Sequence, residues 1–309
     1  MSQNSVIKYP LTKILGSKSH VQLIRVMILV GEPITAKKLI KRTGLSKQGV
    51  YDGIDRLNKL GVIKYVGSGK QIELRKKHPF YKSLTQLFSY EHEYFNEILN
   101  ELKRQIGELK EKPLSAWIHG NIASGQDEYG DPIEIAMLGK VKTVDSMVSE
   151  FRERMFTSGF ENRFDVTLEI KGVTSADKDQ LLEKDKILLF GTDPAFYIND
   201  VDKNLDSKSH QEHDDSSLYN ANHWLDFLKT HPEIIERTKM HLKERVDSEK
   251  SGIKNELVEW YRLLESMSFQ RLKKLMQSDS ERSTRLRQSL PFWPVLTEAE
   301  RKEFISRAE

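Results

Sequence analysis

Two groups of side chains in the 309-residue sequence have the types and spacing to do chemistry. The first lies between residues 41 and 77: Lys41, Arg42, Ser46, Lys47, Gln48, Tyr51, Lys64, Lys70, Arg75, Lys76 and Lys77. Ammonium and guanidinium groups neutralise phosphates, while hydroxyl and amide groups near a helix start reach base edges. The second lies between residues 120 and 169: Gly120, Asn121, Asp131, Glu134, Asp165 and Glu169. Carboxylates separated by one intervening residue on a strand point the same way, so both can hold a metal ion that bridges substrate phosphates.

The first group needs a rigid frame, and residues 34–75 supply the pattern of one. Thr35 stands at the N-cap position before AKKLIKRT, and Gly44 is placed to end that helix in the left-handed conformation. Ser46 can cap a second helix on which Val50, Ile54 and Leu57 share one face, with Leu60 extending the stripe. Ser46, Lys47, Gln48, Tyr51, Asp52 and Asp55 fall on the other face, and Gly61 stops the helix. Asp52 and Asp55 either pair with Lys47 and Lys59 at helical spacing or weaken contact with an anionic partner. Val62 to Val66 and Gln71 to Arg75 read as strands around Gly67-Ser68-Gly69.

This order of helix, turn, helix and glycine-tipped hairpin resembles the winged helix-turn-helix of prokaryotic regulators of the MarR and ArsR type. The phrases GSKSHVQLIRVMILVGEPIT, TGLSKQGVYDGIDRLNKLGVI and GSGKQIEL carry the resemblance over roughly residues 15–77. It implies that the helix from Ser46 to Leu60 enters the major groove of double-stranded DNA. Lys47, Gln48 and Tyr51 are then the base-edge candidates, and Lys41, Arg42, Lys64, Lys70, Arg75, Lys76 and Lys77 the phosphate contacts.

Composition bounds the alternatives. The net charge is only +3, so the cations matter through their clustering. With no cysteine, disulfides, zinc–thiolate sites and cysteine nucleophiles are excluded, which fits a reducing compartment. No apolar run approaches the roughly 20 residues that span a bilayer, and MSQNSVIKYPLTK lacks the apolar stretch of a signal peptide. The expectation is a cytoplasmic protein with no membrane partner. No GxxxxGK[ST], HExxH or GxSxG occurs.

Beyond His78-Pro79 a helical pattern runs from about Phe80 to Lys110, with Phe88, Phe95, Leu99, Leu102, Ile106 and Leu109 on one stripe. From Phe95 the steps are those of a heptad. The stripe either packs along the chain's own domains or forms a dimer seam, and two heptads do not separate these readings. Residues 114–190 then alternate strand and helix signals. The strands are LSAWIHG, IEIAML, RFDVTLEI and KILLFG; the helices are VDSMVSEFRERMFTSG and ADKDQLLEKD. A mainly parallel or mixed sheet follows.

The run HGNIASG followed by GDPIEI is similar to the signature of the nucleotidyltransferase fold, over about residues 114–172. The resemblance implies a phosphate-holding turn at Gly120 and Asn121, a carboxylate pair on the next strand and a third acid later, with magnesium as the metal if the site is active. The sequence departs from that signature. Glu134 keeps its place, but its same-face partner is Pro132, Asp131 has the wrong parity, and Asn121 stands where the family has serine. The third acid is Asp165 or Glu169. These departures imply a catalytically degenerate copy, with no cofactor.

From Asp200 to Ser217 the chain is polar and reads as a linker; His210, His213, Asp214 and Asp215 have ligand atoms but no frame, so no metal is assigned to them. Residues 218–309 read as helical, interrupted at His231-Pro232, with Leu257, Tyr261 and Leu264 on a stripe and a capping-box pattern at Thr297 to Glu300. Phe292, Trp293 and Leu296 either pack on the core or form a partner surface.

The expected fold class is α+β: a winged helix-turn-helix over 1–79, a connector helix over 80–112, a nucleotidyltransferase-like α/β domain over 113–200, a linker over 201–217 and a helical region over 218–309. The expected function is a sequence-specific DNA-binding transcriptional regulator. It is expected to be a homodimer, with the degenerate domain as sensor and the helical region open to a protein partner. The alternatives are an active metal-dependent nucleotidyltransferase of a toxin–antitoxin or phage-defence system, and a DNA-binding adaptor in a larger defence complex.

Overall fold

The computed structural model describes Lys8 and residues 18–67, 70–177, 183–197, 214–248 and 254–307. The chain is mixed α+β, with a three-stranded and a four-stranded sheet among its described residues. Its buried apolar side chains gather into three main clusters, one for each successive part of the chain.

The amino-terminal part holds α1 (Lys18–Val30), β1 (Ile34–Thr35), α2 (Ala36–Thr43), α3 (Lys47–Lys59), β2 (Ile63–Val66) and β3 (Gln71–Leu74). The strands form an antiparallel sheet in the order β1-β3-β2. The local signals act as the sequence suggests. The Thr35 hydroxyl accepts from the Lys38 amide, Gly44 takes φ +68° and donates to Ile40, and the Ser46 hydroxyl accepts from the Gly49 amide. Val50, Ile54 and Leu57 are buried against α1. There α1 and α3 approach so closely that a Cβ on Gly53 would sit 2.6 Å from the Leu23 side chain. Ser68 and Gly69 of the expected hairpin tip lie outside the described residues.

One long helix, α4 (Tyr81–Gly107), joins this part to the next. It gives Phe88 to the amino-terminal core and Ile98, Leu102 and Ile106 to the central one. The stripe read as a possible dimer seam is therefore covered by the chain itself. Phe88, Leu102, Ile106 and Leu109 are buried, and Phe95 and Leu99 pack half-buried on the central core. The connector is thus shared between two cores. A second link is ionic: Arg25 on α1 makes a bidentate pair with Glu91 on α4, at 2.7 and 2.9 Å, with both side chains no more than 3% exposed.

The central sheet has the order β6-β5-β4-β7. Its strands are β4 (Ser115–His119), β5 (Ile133–Leu138), β6 (Leu168–Val173) and β7 (Ile187–Gly191). β5 and β6 are parallel; β4 is antiparallel to both of its neighbours, so the sheet is mixed. Short α5 (Gly120–Ser124) follows β4, while α6 (Val144–Thr157) and α7 (Phe160–Phe164) lie between β5 and β6. One face carries Ile118, Ile133, Ile135, Leu168 and Ile170 against α4 and α6; the other carries Trp117, Ala136, Leu138 and Val173. The expected strand RFDVTLEI begins only at Leu168, since Phe160–Phe164 is helical and Asp165 sits left-handed at φ 47°. Residues 178–182, within the helix read at ADKDQLLEKD, lie outside the described residues.

The carboxy-terminal part is helical: α8 (Asp214–Thr230), α9 (Glu233–Ser248), α10 (Lys254–Ser266), α11 (Phe269–Gln277), α12 (Glu281–Gln288) and α13 (Glu298–Ser306). Within the expected linker over 201–217, α8 already begins at Asp214; residues 201–213, His210 and His213 among them, lie outside the described residues. Trp224, Trp260, Phe227 and Phe292 fill the core. Of the three apolar residues read near 292–296, Phe292 and Leu296 are buried and Trp293 stays partly exposed over Phe304. The capping box at Thr297 and Glu300 is formed. Among the described residues no helix is long and apolar enough to cross a membrane.

Candidate functional site

The first candidate surface is built by α2, α3 and the β2–β3 hairpin. Burial of Val50, Ile54 and Leu57 turns the opposite side of α3 outward, so Ser46, Lys47, Gln48 and Tyr51 are exposed, Tyr51 to 48%. Lys41 and Arg42 on α2 are exposed as well, and so are Lys64, Lys70, Arg75, Lys76 and Lys77 along the hairpin and just after it. Lys37 and Lys38 on α2 and Arg56 on α3 add exposed cations that the sequence reading did not single out.

The cations differ in what already holds them. Lys64 pairs with Glu73 across the hairpin at 2.8 Å. Arg75 donates to the Gly61 carbonyl at 3.0 Å, which ties the hairpin to the end of α3. The two acids on α3 are also engaged. Asp55 pairs with Lys59 at 2.7 Å, as its spacing suggested, but Asp52 accepts from the Gln48 amide at 2.7 Å and makes no pair with Lys47. Asp55 is thus neutralised by a cation, whereas Asp52 is held by a neutral amide and keeps its negative charge.

The second candidate surface lies on the less covered face of the central sheet. His119 on β4 stands opposite Glu134 on β5, and Glu134 stands opposite Glu169 on β6. Strand alternation puts the three in one row. Glu183, just before β7, joins them, with its carboxylate 3.5 Å from His119 Nδ1; Glu134 is 3.4 Å from the same nitrogen. Gly120, at φ +67°, lets the chain turn directly against this row, since a Cβ there would run into the Glu134 carboxylate.

Burial pushes the Glu134 carboxyl up to about 6, and the charges of Glu169, Glu183 and Asp131 add to the rise. Burial also lowers the His119 imidazole, against the pull of Glu183 and Glu169, so the ring is neutral at neutral pH and its contacts are not ion pairs. The raised carboxyl sets a direction. A group protonating at about 6 in the fold and near 4.5 otherwise is least costly below pH 4.5 and becomes a burden as pH rises through 6. Glu134→Gln is therefore expected to raise stability at pH 8 by about 1 kcal/mol, after discounting for partial exposure. The gain should fade below about pH 4.5, as chemical denaturation at the two pH values will show.

The other nominated acids do not join the row. Asp165 is not on β6; it caps α7, where Arg271 of α11 and the Tyr129 hydroxyl hold it. Asp131 accepts from Lys274 of α11 at 2.7 Å, from the Glu128 amide at 2.9 Å and from Asn121 at 3.2 Å. Burial raises this carboxyl, but those three donors outweigh it and leave it below the ordinary carboxylate range. Asn121, nominated for nucleotide binding, thus spends its amide on Asp131. Glu169 accepts from Ser278, just past the end of α11.

One helix therefore meets three of the four acids, two of them with a cation. Among the described residues no group of three or more His, Asp or Glu side chains is placed to hold a metal ion. The sequence reading missed His119, Glu183, Arg271, Lys274 and Ser278. The last three lie 100 or more residues from the acids they meet, beyond any local signal.

What the geometry defines is a class, a mixed α+β chain with a cationic amino-terminal surface and an acidic sheet face beside a helical part. Comparison with protein-family models, with curated proteins and with solved structures finds no match to this chain.

Proposed function

We propose that this chain is a sequence-specific regulator that binds double-stranded DNA through a winged helix-turn-helix formed by residues 18–79. The observation that carries the reading is the outward face of α3, where Lys47, Gln48 and Tyr51 stand exposed between cations of α2 and of the hairpin. A helix so flanked fits the major groove, with α3 reading bases and Lys41, Arg42, Lys70, Lys76 and Lys77 set against phosphates. Lys64 and Arg75 also hold Glu73 and the Gly61 carbonyl, contacts with which a phosphate would compete.

The regulator works as a homodimer in this reading. The stripe first read for that purpose is buried, but α4 exposes another: Phe80 just before its start, then Leu87 and Tyr90, at 65%, 39% and 63% exposure. Their spacing puts them on one side of the helix. The central domain is a nucleotidyltransferase-like fold without transfer chemistry, and it serves as a sensor or interaction module. Lys274 and Arg271 lie where an active enzyme would keep its carboxylates free for metal. The helical part is open to a protein partner.

Mapping of chromosomal sites with tagged protein tests this. Discrete sites with a shared sequence are expected, together with two chains per bound site by light scattering on the purified complex. Lys47→Ala and Gln48→Ala should each relax the shared sequence while the protein stays folded. Uniform or absent occupancy by the unaltered protein contradicts the reading.

A second reading is an active nucleotidyltransferase of a defence system. Its specific support is that Glu134 and Glu169 lie abreast next to the tight turn at Gly120. Transfer of label from a nucleoside triphosphate with magnesium or manganese, lost in Glu134→Ala, would establish it. No transfer with either metal rejects it.

A further inference from the structure

We infer that Gln48 reads adenine, and that Asp52 is the positioning residue that makes it do so. The inference rests on the DNA-binding reading and names the base that reading leaves open. Gln48 lies in the first turn of α3, exposed, and Asp52 lies one turn further on, half-buried on the same side of the helix. The Gln48 Nε2 donates to Asp52 Oδ1 at 2.7 Å.

Hydrogen-bond inventory turns this contact into selectivity. An ionised aspartate only accepts, so it fixes which end of the Gln48 amide faces it: the NH2 and not the carbonyl. One of the two amide hydrogens is then consumed. What remains for a partner is one donor and one acceptor on the same planar group. In the major groove adenine presents the complement, with N7 accepting and the N6 amino group donating, and a bidentate contact forms. Guanine presents two acceptors, O6 and N7. A free glutamine could offer both hydrogens to them by rotating, but Gln48 has one left, and its carbonyl would face O6 without a hydrogen between them. Asp52 therefore discriminates against guanine without touching DNA. Its negative charge is half-buried and set back from the outward face, which limits its repulsion of nearby phosphates.

The neighbours on α3 leave room for this role. Gly49 carries no side chain beside Gln48, Tyr51 projects on its other flank, and Lys47 precedes it at the helix start, where it can meet the adjacent phosphate or a base. No other acid on α3 competes for the amide, because Asp55 is held by Lys59.

The test is selection of bound sites from a random duplex library by full-length protein, repeated with Gln48→Ala and Asp52→Asn. Both positions are on the surface, and circular dichroism checks that each variant is folded. The unaltered protein is expected to select adenine at one position per half-site, preferred over guanine by on the order of ten- to a hundredfold. Gln48→Ala should abolish the preference at that position alone. Asp52→Asn is the sharper variant, because asparagine can donate as well as accept and so releases the amide to turn. Adenine and guanine should then bind within a few-fold of each other, while overall affinity for random duplex holds or rises. Duplex binding with no base preference sensitive to Gln48, or with a preference that Asp52→Asn leaves intact, overturns the inference alone. Failure of the unaltered protein to retain any duplex overturns the DNA-binding reading and this inference with it.

Discussion

Glu91→Ala is expected to destabilise the protein by about 3–5 kcal/mol, the cost of leaving a buried charge without its partner. Arg25 lies in the middle of α1, in the run LIRVMILV, and is 2% exposed. Its guanidinium cannot lose its proton to escape, unlike a buried lysine. Both carboxylate oxygens of Glu91 accept from it, and the Phe88 ring lies 5.9 Å from its centre. Removing Glu91 therefore takes the bidentate carboxylate away from a buried cation between the amino-terminal core and the connector helix. The double change Arg25→Met with Glu91→Leu should recover most of the loss, since a buried pair often does no better than apolar groups of similar volume. Urea denaturation of the two variants measures both effects. A single variant within 1 kcal/mol of the unaltered protein would mean that the guanidinium finds water or another acceptor.

Arg282→Ala is expected to loosen the helical part from the central one, at a cost of similar size, about 3–4 kcal/mol. The Arg282 guanidinium makes a bidentate contact with Glu161 at 2.6 and 2.9 Å, meets Glu259 at 3.0 Å and the Leu168 carbonyl at 3.1 Å. All three side chains are mostly covered. Burial would raise the Glu259 carboxyl, yet Arg282 and Arg285 hold it below the ordinary carboxylate range. Such a depressed group contributes stability above its ordinary range, near 4.5, and loses it as pH falls through the lower folded value. The variant's deficit should accordingly be full at pH 7 and shrink in acid, where protonated Glu259 needs no cation. Stability measured from pH 7 down to about 3 reads this. A deficit that does not change with pH would point to lost packing instead of lost charge.

The two parts of the molecule differ in how far their sequence explains them. In the amino-terminal part the determinants are local. Thr35, Gly44 and Ser46 act within three or four residues of themselves, and the Val50, Ile54 and Leu57 spacing needs only one helix to express it. Boundaries and exposed face were therefore readable. The α4 stripe was readable as a stripe, but periodicity says nothing about what covers it; the cover is the chain's own sheet and α6. The alternation of Phe164, Val166 and Leu168 imitates a strand, and the left-handed turn at Asp165 interrupts it.

The acidic face was legible only in part. Glu134 and Glu169 do meet, through strand register. Asp131 and Asp165 are claimed by cations of α11 that stand over 100 residues later, and nothing near either acid announces them. Arg25 and Glu91 left a faint trace, each a charge set among apolar residues of its own helix, though 66 residues apart.

The central claim is that the cationic face around α3 grips duplex DNA, and titration of purified protein onto a labelled duplex over a range of salt tests it most directly. The logarithm of affinity should fall linearly with the logarithm of salt concentration, with a slope reporting several released counterions. Lys70→Ala should reduce that slope by roughly one unit and weaken binding alike for every sequence. Affinity that is absent, or indifferent to salt, in the unaltered protein would contradict the account.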